Sequence, residues 1–163
     1  MRFVLVDRIL RLDKNKGGIF LKNVTQSEDY FASYPLGSGF MPGSFILEAF
    51  ELASNLLIGF SKDFTVSPRL RQISNAAFKS SVLAGDQMEV SVFLGCQDAH
   101  GVEVRGEANV NGKAVAEATL EFSLNHGEDD GKVKAHCSRL QTLYNLLLAD
   151  PVDRARGIWL FGS

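Results

Sequence analysis

The segment from Pro42 to Phe60 constrains the fold more than any other part of the sequence. Its residues are apolar on nearly every side of a helix, and proline is tolerated at the start of a helix. A helix that is apolar around most of its circumference has to be buried by other elements. The segment carries two glutamates and falls short of a membrane span, so we predict a buried core helix and no transmembrane segment.

A narrow polar stripe follows one face of this helix and marks a candidate site. Its members are Ser44, Glu48, Glu51 and Asn55. A carboxyl group in a largely apolar helix needs a partner, exposure to water or a function. The glycine-rich run from Gly37 to Gly43 precedes the helix and offers free backbone N–H donors, where a thioester or phosphate oxygen could sit. A simple turn into the helix is the alternative interpretation of these glycines.

Most of the remaining sequence predicts antiparallel strands. Residues 4–12 and 19–24 read as a hairpin, residues 69–78 follow the helix as a strand, and alternating apolar residues predict a meander over residues 88–124. Asn111-Gly112 is typical of a type I′ hairpin turn. We therefore predict an α+β protein in which an antiparallel sheet of five to six strands wraps around one long buried helix. Because one sheet cannot cover such a helix on all sides, we also expect a dimer.

Composition excludes several classes of protein. The chain has 163 residues, of which 45% are hydrophobic and 22% charged, as in an ordinary globular domain. A net charge of −2 argues against nucleic-acid binding. Cys96 and Cys137 are too few and too far apart to indicate a disulfide framework or a metal site. We predict a cytoplasmic protein without a signal peptide, a metal or a cofactor.

Several motifs together resemble the 3-hydroxyacyl-[acyl-carrier-protein] dehydratases of the FabZ type. The active-site pattern of that family, H-F-P-G-x-P-x-x-P-G-x-x-x-x-E-A, aligns without a gap on Gly37, Pro42-Gly43 and Glu48-Ala49. Further segments resemble other parts of the family, namely residues 3–13, 22–25, 77–86 and 112–122. The resemblance covers residues 1–125 and implies a hotdog fold, in which two subunits pair so that their sheets run on as one.

The resemblance also implies roles for individual residues. In the family, a histidine and the carboxyl on the helix share the proton transfers from opposite subunits, so that Glu48 is the implied catalytic carboxyl. The amide of Gly43 would bind the thioester oxygen. Gly37 would contribute to the same substrate site. Phe40 and Met41 would line an acyl tunnel, with core packing as the alternative for both.

Tyr34 stands where the family carries its catalytic histidine. A phenol has a pKa of about 10, so forming the phenolate at pH 7 costs roughly 4 kcal/mol. We therefore predict that Tyr34 assists as a hydrogen-bond donor and is a poor base. His100, His126 and His136 are predicted to lie on the surface. Glu51 is interpreted as a solvated or capping neighbour of Glu48 rather than as a second catalytic acid. Other departures from the family pattern are Pro35-Leu36, Gly39 and Leu52.

The sequence beyond residue 125 has no counterpart in the family pattern. Residues 126–132 read as a charged linker, and Leu140, Leu143, Tyr144 and Leu147 repeat at helical spacing before Pro151. We predict a hotdog domain over residues 1–125, then a linker and helical extension over residues 126–163 that docks on the domain or on the dimer. Trp159 and Phe161 would anchor the extension or contact another protein.

Three functions are compatible with these observations. The first is a dehydratase-like protein that acts on or binds acyl thioesters in fatty-acid, lipid or polyketide synthesis, with acyl carrier protein as partner. The second is a non-catalytic subunit that forms a heterodimer with an active relative. The third is an acyl thioesterase, because hotdog relatives use a helix carboxylate to activate water. We expect a homodimer in the first case, with a higher oligomer left open.

Overall fold

Antiparallel strand pairing organises the protein around one long helix. The computed structural model describes residues 5–33, 39–126 and 130–148. Its elements in chain order are β1 (Arg8–Asp13), β2 (Gly17–Asn23), α1 (Asp29–Ser33), α2 (Gly43–Ser61), β3 (Ser67–Phe78), β4 (Gln87–Gln97), β5 (Val102–Val110), β6 (Lys113–Asn125) and α3 (Gly131–Leu147). The predictions for Tyr34, Gly37, Pro151, Trp159 and Phe161 fall outside the described residues.

The strands form one six-stranded antiparallel sheet in the order β1-β2-β4-β5-β6-β3. The predicted hairpin between β5 and β6 is confirmed, because Val110 pairs with Lys113 across the turn. Asn111 and Gly112 have φ values of 51° and 76°, and a type I′ turn requires positive φ at both positions. The connection through α2 carries the chain from the β2 side of the sheet to β3 at its far edge.

Helix α2 packs against one face of the sheet and forms the centre of the core. Pro42 caps its start with a φ of −61°, which agrees with the predicted start of the helix. Phe50 is fully buried, and its ring lies so close to Gly106 of β5 that a Cβ there would be 2.8 Å from Phe50 Cγ. The helix is long and apolar enough to cross a membrane, but here it is the core helix of the sheet. The predicted α+β architecture is confirmed.

Helix α3 docks on the C-terminal half of α2. The ring of Tyr144 stacks on Phe60 with ring centroids 5.5 Å apart, and it lies 5.5 Å from the ring of Phe64. Leu140 and Leu147 are buried against the same core. The predicted amphipathic helix is therefore present, and it covers a flank of α2 that the sheet leaves open.

The same helix also reaches both edge strands of the sheet. His136 Nδ1 lies 2.5 Å from the Ser67 hydroxyl at the start of β3, so this histidine is hydrogen-bonded and only partly exposed, in contrast to the predicted surface position. Leu148, directly after α3, forms a parallel bridge with Ile9 of β1. Because β1 and β3 are the two outer strands, α3 links opposite ends of the sheet.

Candidate active site

The polar face of α2 opens onto a groove of about 200 Å³. Glu48, Glu51, Leu52 and Asn55 line it, together with Leu5 from the segment before β1. The structure thus brings Glu48, Glu51 and Asn55 of the predicted stripe together in one depression. Glu48 is exposed in the isolated chain, whereas Glu51 and Asn55 are partly buried.

The environment of Glu51 differs from the predicted one. Burial raises the pKa of the Glu51 carboxyl, and the neighbouring negative charge of Glu48 raises it further. Both effects disfavour the ionised form of the acid. Glu51 is therefore half-buried and more shielded from water than Glu48.

A second feature of the groove is the amide of Asn55. Its Oδ1 atom is buried and has no hydrogen-bond partner within the part of the chain that the structure describes. Buried polar atoms are nearly always hydrogen-bonded in folded proteins. A carbonyl oxygen accepts hydrogen bonds, so Asn55 has one unused acceptor.

The start of α2 lies at one end of this polar face. Pro42 provides no side-chain hydrogen bond to the first turn. No side-chain cap therefore competes with a ligand for the backbone amides at this helix start. The ring of Phe78 covers Gly43 so closely that a Cβ at this position would be 2.8 Å from Phe78 Cε1. Gly43 thus stands at the helix start predicted for the oxyanion donor, beside a half-exposed aromatic ring.

A short pairing holds the chain just before α2. Phe40 forms an antiparallel bridge with Leu83, and the Met41 amide donates to the Val82 carbonyl at 2.7 Å. Met41 is 2% exposed and belongs to the core, while Phe40 is partly exposed beside the half-exposed Leu83. In the isolated chain, Met41 therefore packs in the core and Phe40 lies closer to the surface.

The burial of one lysine was not predicted from the sequence. Lys22 is 2% exposed, and its ammonium group lies 2.7 Å from Glu28 Oε1 and 3.3 Å from Asp7 Oδ1. Asp7 in turn accepts a hydrogen bond of 2.6 Å from the Asn23 amide. The alternation of β2 could have revealed it, because Lys22 stands two residues after the buried Phe20 and so on the inward face. The ion pairs of Lys22 connect the segment before α1 to the sheet.

Tyr30 of α1 contacts the first turn of α2. Its ring stacks on Phe45 with centroids 4.7 Å apart. Its hydroxyl is buried without a hydrogen-bond partner among the described residues. Burial, then the nearby carboxylates of Glu28 and Asp7, raise the pKa of Tyr30 well above the usual value of a phenol. Tyr30 therefore stays neutral and positions α1, which leads into the segment containing Tyr34.

The three histidines lie outside the Glu48 groove, and the described residues contain no cluster of metal ligands. None of the three histidines is among the described residues that line the Glu48 groove. His100 is exposed in a turn where Asp98 accepts hydrogen bonds from the amides of His100 and Gly101, and these bonds lower the pKa of Asp98. Within residues 5–33, 39–126 and 130–148, no three His, Cys, Asp or Glu side chains are grouped as metal ligands.

Two solved structures have the same fold at low sequence identity. One is the dehydratase heterocomplex ApeI:P from Xenorhabdus doucetiae, with a TM-score of 0.64 and 14% identity over 85% of this chain and 89% of that chain. The other is a hot-dog-like protein from Thermanaerovibrio acidaminovorans, with a TM-score of 0.61 and 13% identity over 72% and 86%. The expected hotdog fold is thereby confirmed.

Sequence relatives identify the family. The chain is 32% identical over 123 residues to the 3-hydroxyacyl-[acyl-carrier-protein] dehydratase FabZ of Halalkalibacterium halodurans. The matched region covers 75% of this chain and 88% of the relative. A family model described as a FabA-like domain matches residues 1–119, which include the candidate site and end within β6. The chain therefore belongs to the FabA-like domain family.

Proposed function

We propose that this protein is a dehydratase-like enzyme that removes water from 3-hydroxyacyl thioesters carried by acyl carrier protein. The observation that carries the proposal is the position of Glu48 in a groove on the otherwise apolar core helix. Membership of the FabA-like family and the named activity of the H. halodurans relative support the substrate class. The setting would be cytoplasmic fatty-acid, lipid or polyketide synthesis.

The reaction requires three catalytic functions from the protein. A base removes the proton at C2, an acid protonates the oxygen that leaves C3, and donors stabilise the thioester oxygen as it becomes enolate-like. Glu48 provides a carboxyl group that faces the groove. The start of α2 has no side-chain hydrogen bond to its amides and provides the donor, with the amide of Gly43 as the first candidate. Phe40 and Met41 would contact the acyl chain, and Gly37 would contribute to the same substrate site.

Tyr34 has the role of a hydrogen-bond donor in this proposal. Its phenol would stay neutral at pH 7, since ionisation costs roughly 4 kcal/mol there. A neutral phenol can donate to the thioester carbonyl or to the substrate hydroxyl. The histidine of the family pattern is therefore replaced by a group that orients the substrate and does not remove its proton.

A second copy of the chain would complete the site. The Glu48 face of α2 is open in the isolated chain, and the edge strand β3 pairs on one side only, with β6, within the described residues. Unpaired strand edges favour pairing with another strand. We propose a homodimer in which residues 1–125 form the paired hotdog domain and residues 126–163 an extension.

The alternatives in the sequence analysis are less favoured. The H. halodurans relative is named a dehydratase, and its similarity spans the segment that contains Glu48. This favours dehydration over thioester hydrolysis. It also favours a chain with its own activity over a purely structural subunit, although the Xenorhabdus protein is a dehydratase heterocomplex.

The first experiment measures enoyl-thioester formation by the full chain with 3-hydroxyacyl carrier-protein thioesters. We expect Glu48→Gln to lower kcat by about 100-fold or more, the size of a lost acid–base group. Glu89→Gln is the matched control, because Glu89 is an exposed glutamate on β4 outside the groove. Full activity of Glu48→Gln, or release of free thiol as the only product, would contradict the proposal.

A further inference from the structure

Glu48 and Glu51 form a pair of acids in the same groove. They are three residues apart on α2, which places them on neighbouring positions of one helix face. Leu5 and Leu52 supply apolar walls beside them. The described residues that line the groove include no lysine, arginine or histidine, so no cation among them neutralises the pair.

The two acids have different surroundings in the groove. Glu48 is exposed, whereas Glu51 is partly buried, and both its burial and the charge of Glu48 raise the pKa of Glu51. Adjacent carboxyl groups often share one proton, because two like charges in a partly apolar site repel each other. The burial of Glu51 and its position beside Glu48 in the groove make it the candidate proton donor of the pair.

The amide of Asn55 is a further polar group beside this pair. Asn55 stands four residues after Glu51, on the same face of α2. Its buried Oδ1 has no partner among the described residues. A protonated Glu51 and the hydroxyl group of a 3-hydroxyacyl substrate are both donors that such an oxygen can accept.

We infer that Glu51 is a second catalytic residue, which protonates the departing 3-hydroxyl group while Glu48 removes the proton at C2. This inference rests on the proposed function: because Tyr34 is a poor base, Glu48 takes the C2 proton, and a second group has to protonate the leaving oxygen. The site then uses a carboxylate and a carboxylic acid, instead of a histidine and a carboxyl group.

The step balances without any further reactant. The Glu48 carboxylate takes the C2 proton, the electron pair of the C2–H bond forms the C2–C3 double bond, and the C3–O bond breaks. The proton of Glu51 goes to the departing oxygen, which leaves as water. Glu48 is then protonated and Glu51 ionised. Transfer of the proton from Glu48 to its neighbour Glu51 restores the starting state.

Substrates with different leaving groups test this assignment. Fluoride departs from C3 without needing a proton, so a 3-fluoroacyl thioester bypasses the acid but still requires the base. We expect Glu51→Gln to lower kcat about 100-fold on the 3-hydroxyacyl substrate, with KM little changed. On the 3-fluoroacyl substrate it should lose less than about threefold, whereas Glu48→Gln should be impaired on both substrates.

The outcomes separate this inference from the proposed function. A parent enzyme that forms no enoyl product from 3-hydroxyacyl thioesters overturns the proposed function, and this inference with it. If the parent is active, then normal activity of Glu51→Gln, or an equal loss on both substrates, overturns the role of Glu51 alone. Glu89→Gln should behave like the parent throughout.

A titration that does not depend on enzyme activity provides a second test. Carbon-13 NMR titration of the glutamate carboxyl groups in the full chain should give Glu51 a pKa above the ordinary value, and Glu48→Gln should lower it. Glu51→Gln identifies the resonance by its loss. A Glu51 carboxyl that titrates at or below the ordinary value overturns the inference even if the variants fold poorly.

Discussion

The side chain of Glu51 links the stability of the fold to pH. Its pKa is raised in the folded protein by burial and by Glu48, so the folded state binds this proton more tightly than the unfolded state does. The corresponding stabilisation is complete below the unfolded glutamate pKa of about 4.3 and is lost as pH rises through the higher folded value.

We therefore predict that Glu51→Gln stabilises the protein at neutral and alkaline pH. The amide does not titrate, so above the ordinary glutamate pKa the variant avoids the free-energy cost of keeping this carboxyl protonated or of burying its charge. Urea unfolding of both proteins at pH 8 and at about pH 4 checks this, because the difference should shrink once Glu51 is protonated in both states. An equal or lower free energy of unfolding for Glu51→Gln at pH 8 would contradict the structural account.

The sequence predicted some residues of the site and missed others for physical reasons. The spacing of Glu48, Glu51 and Asn55 placed them on one face, because helical geometry is local. The burial of Glu51 depends on Leu5, which is remote in the chain and joins the groove only in the folded protein. The ion pairs of Lys22 also depend on partners in other segments, and a lysine in a strand normally indicates exposure.

Among the elements, α3 depends on a small number of side chains for its position. Leu140 is 5% exposed and contacts the core, whereas Leu146 on the same helix is 63% exposed. The spacing of apolar residues predicted this helix correctly. Its contact with both edges of the sheet could not be predicted, because the path of the chain after β6 is set by tertiary packing.

The two leucines of α3 provide a matched pair of substitutions. Leu140→Ala should lower the free energy of unfolding by about 2–5 kcal/mol, since it removes buried methyl groups and leaves a cavity. Leu146→Ala should change it by less than about 0.5 kcal/mol. Urea denaturation at one protein concentration measures both. Equal effects of the two substitutions would show that α3 is not packed on α2 in solution.

For the molecule as a whole, the open face of α2 and the edge of β3 predict self-association. Sedimentation should give a mass of about twice the 17.9 kDa of the chain at micromolar concentration. Specific activity should fall on dilution below the dissociation constant and recover on concentration, because each site is proposed to need both subunits. Constant specific activity from a species of 17.9 kDa would argue that one chain contains a complete site.

The order of the elements along the chain has a consequence for synthesis on the ribosome. Helix α3 follows every strand, yet it covers the flank of α2 around Phe60 and reaches β1 through the bridge between Ile9 and Leu148. A nascent chain that has completed the sheet therefore still exposes apolar surface until α3 emerges from the exit tunnel. Ribosome-bound intermediates of this length should bind chaperones, and released chains should not.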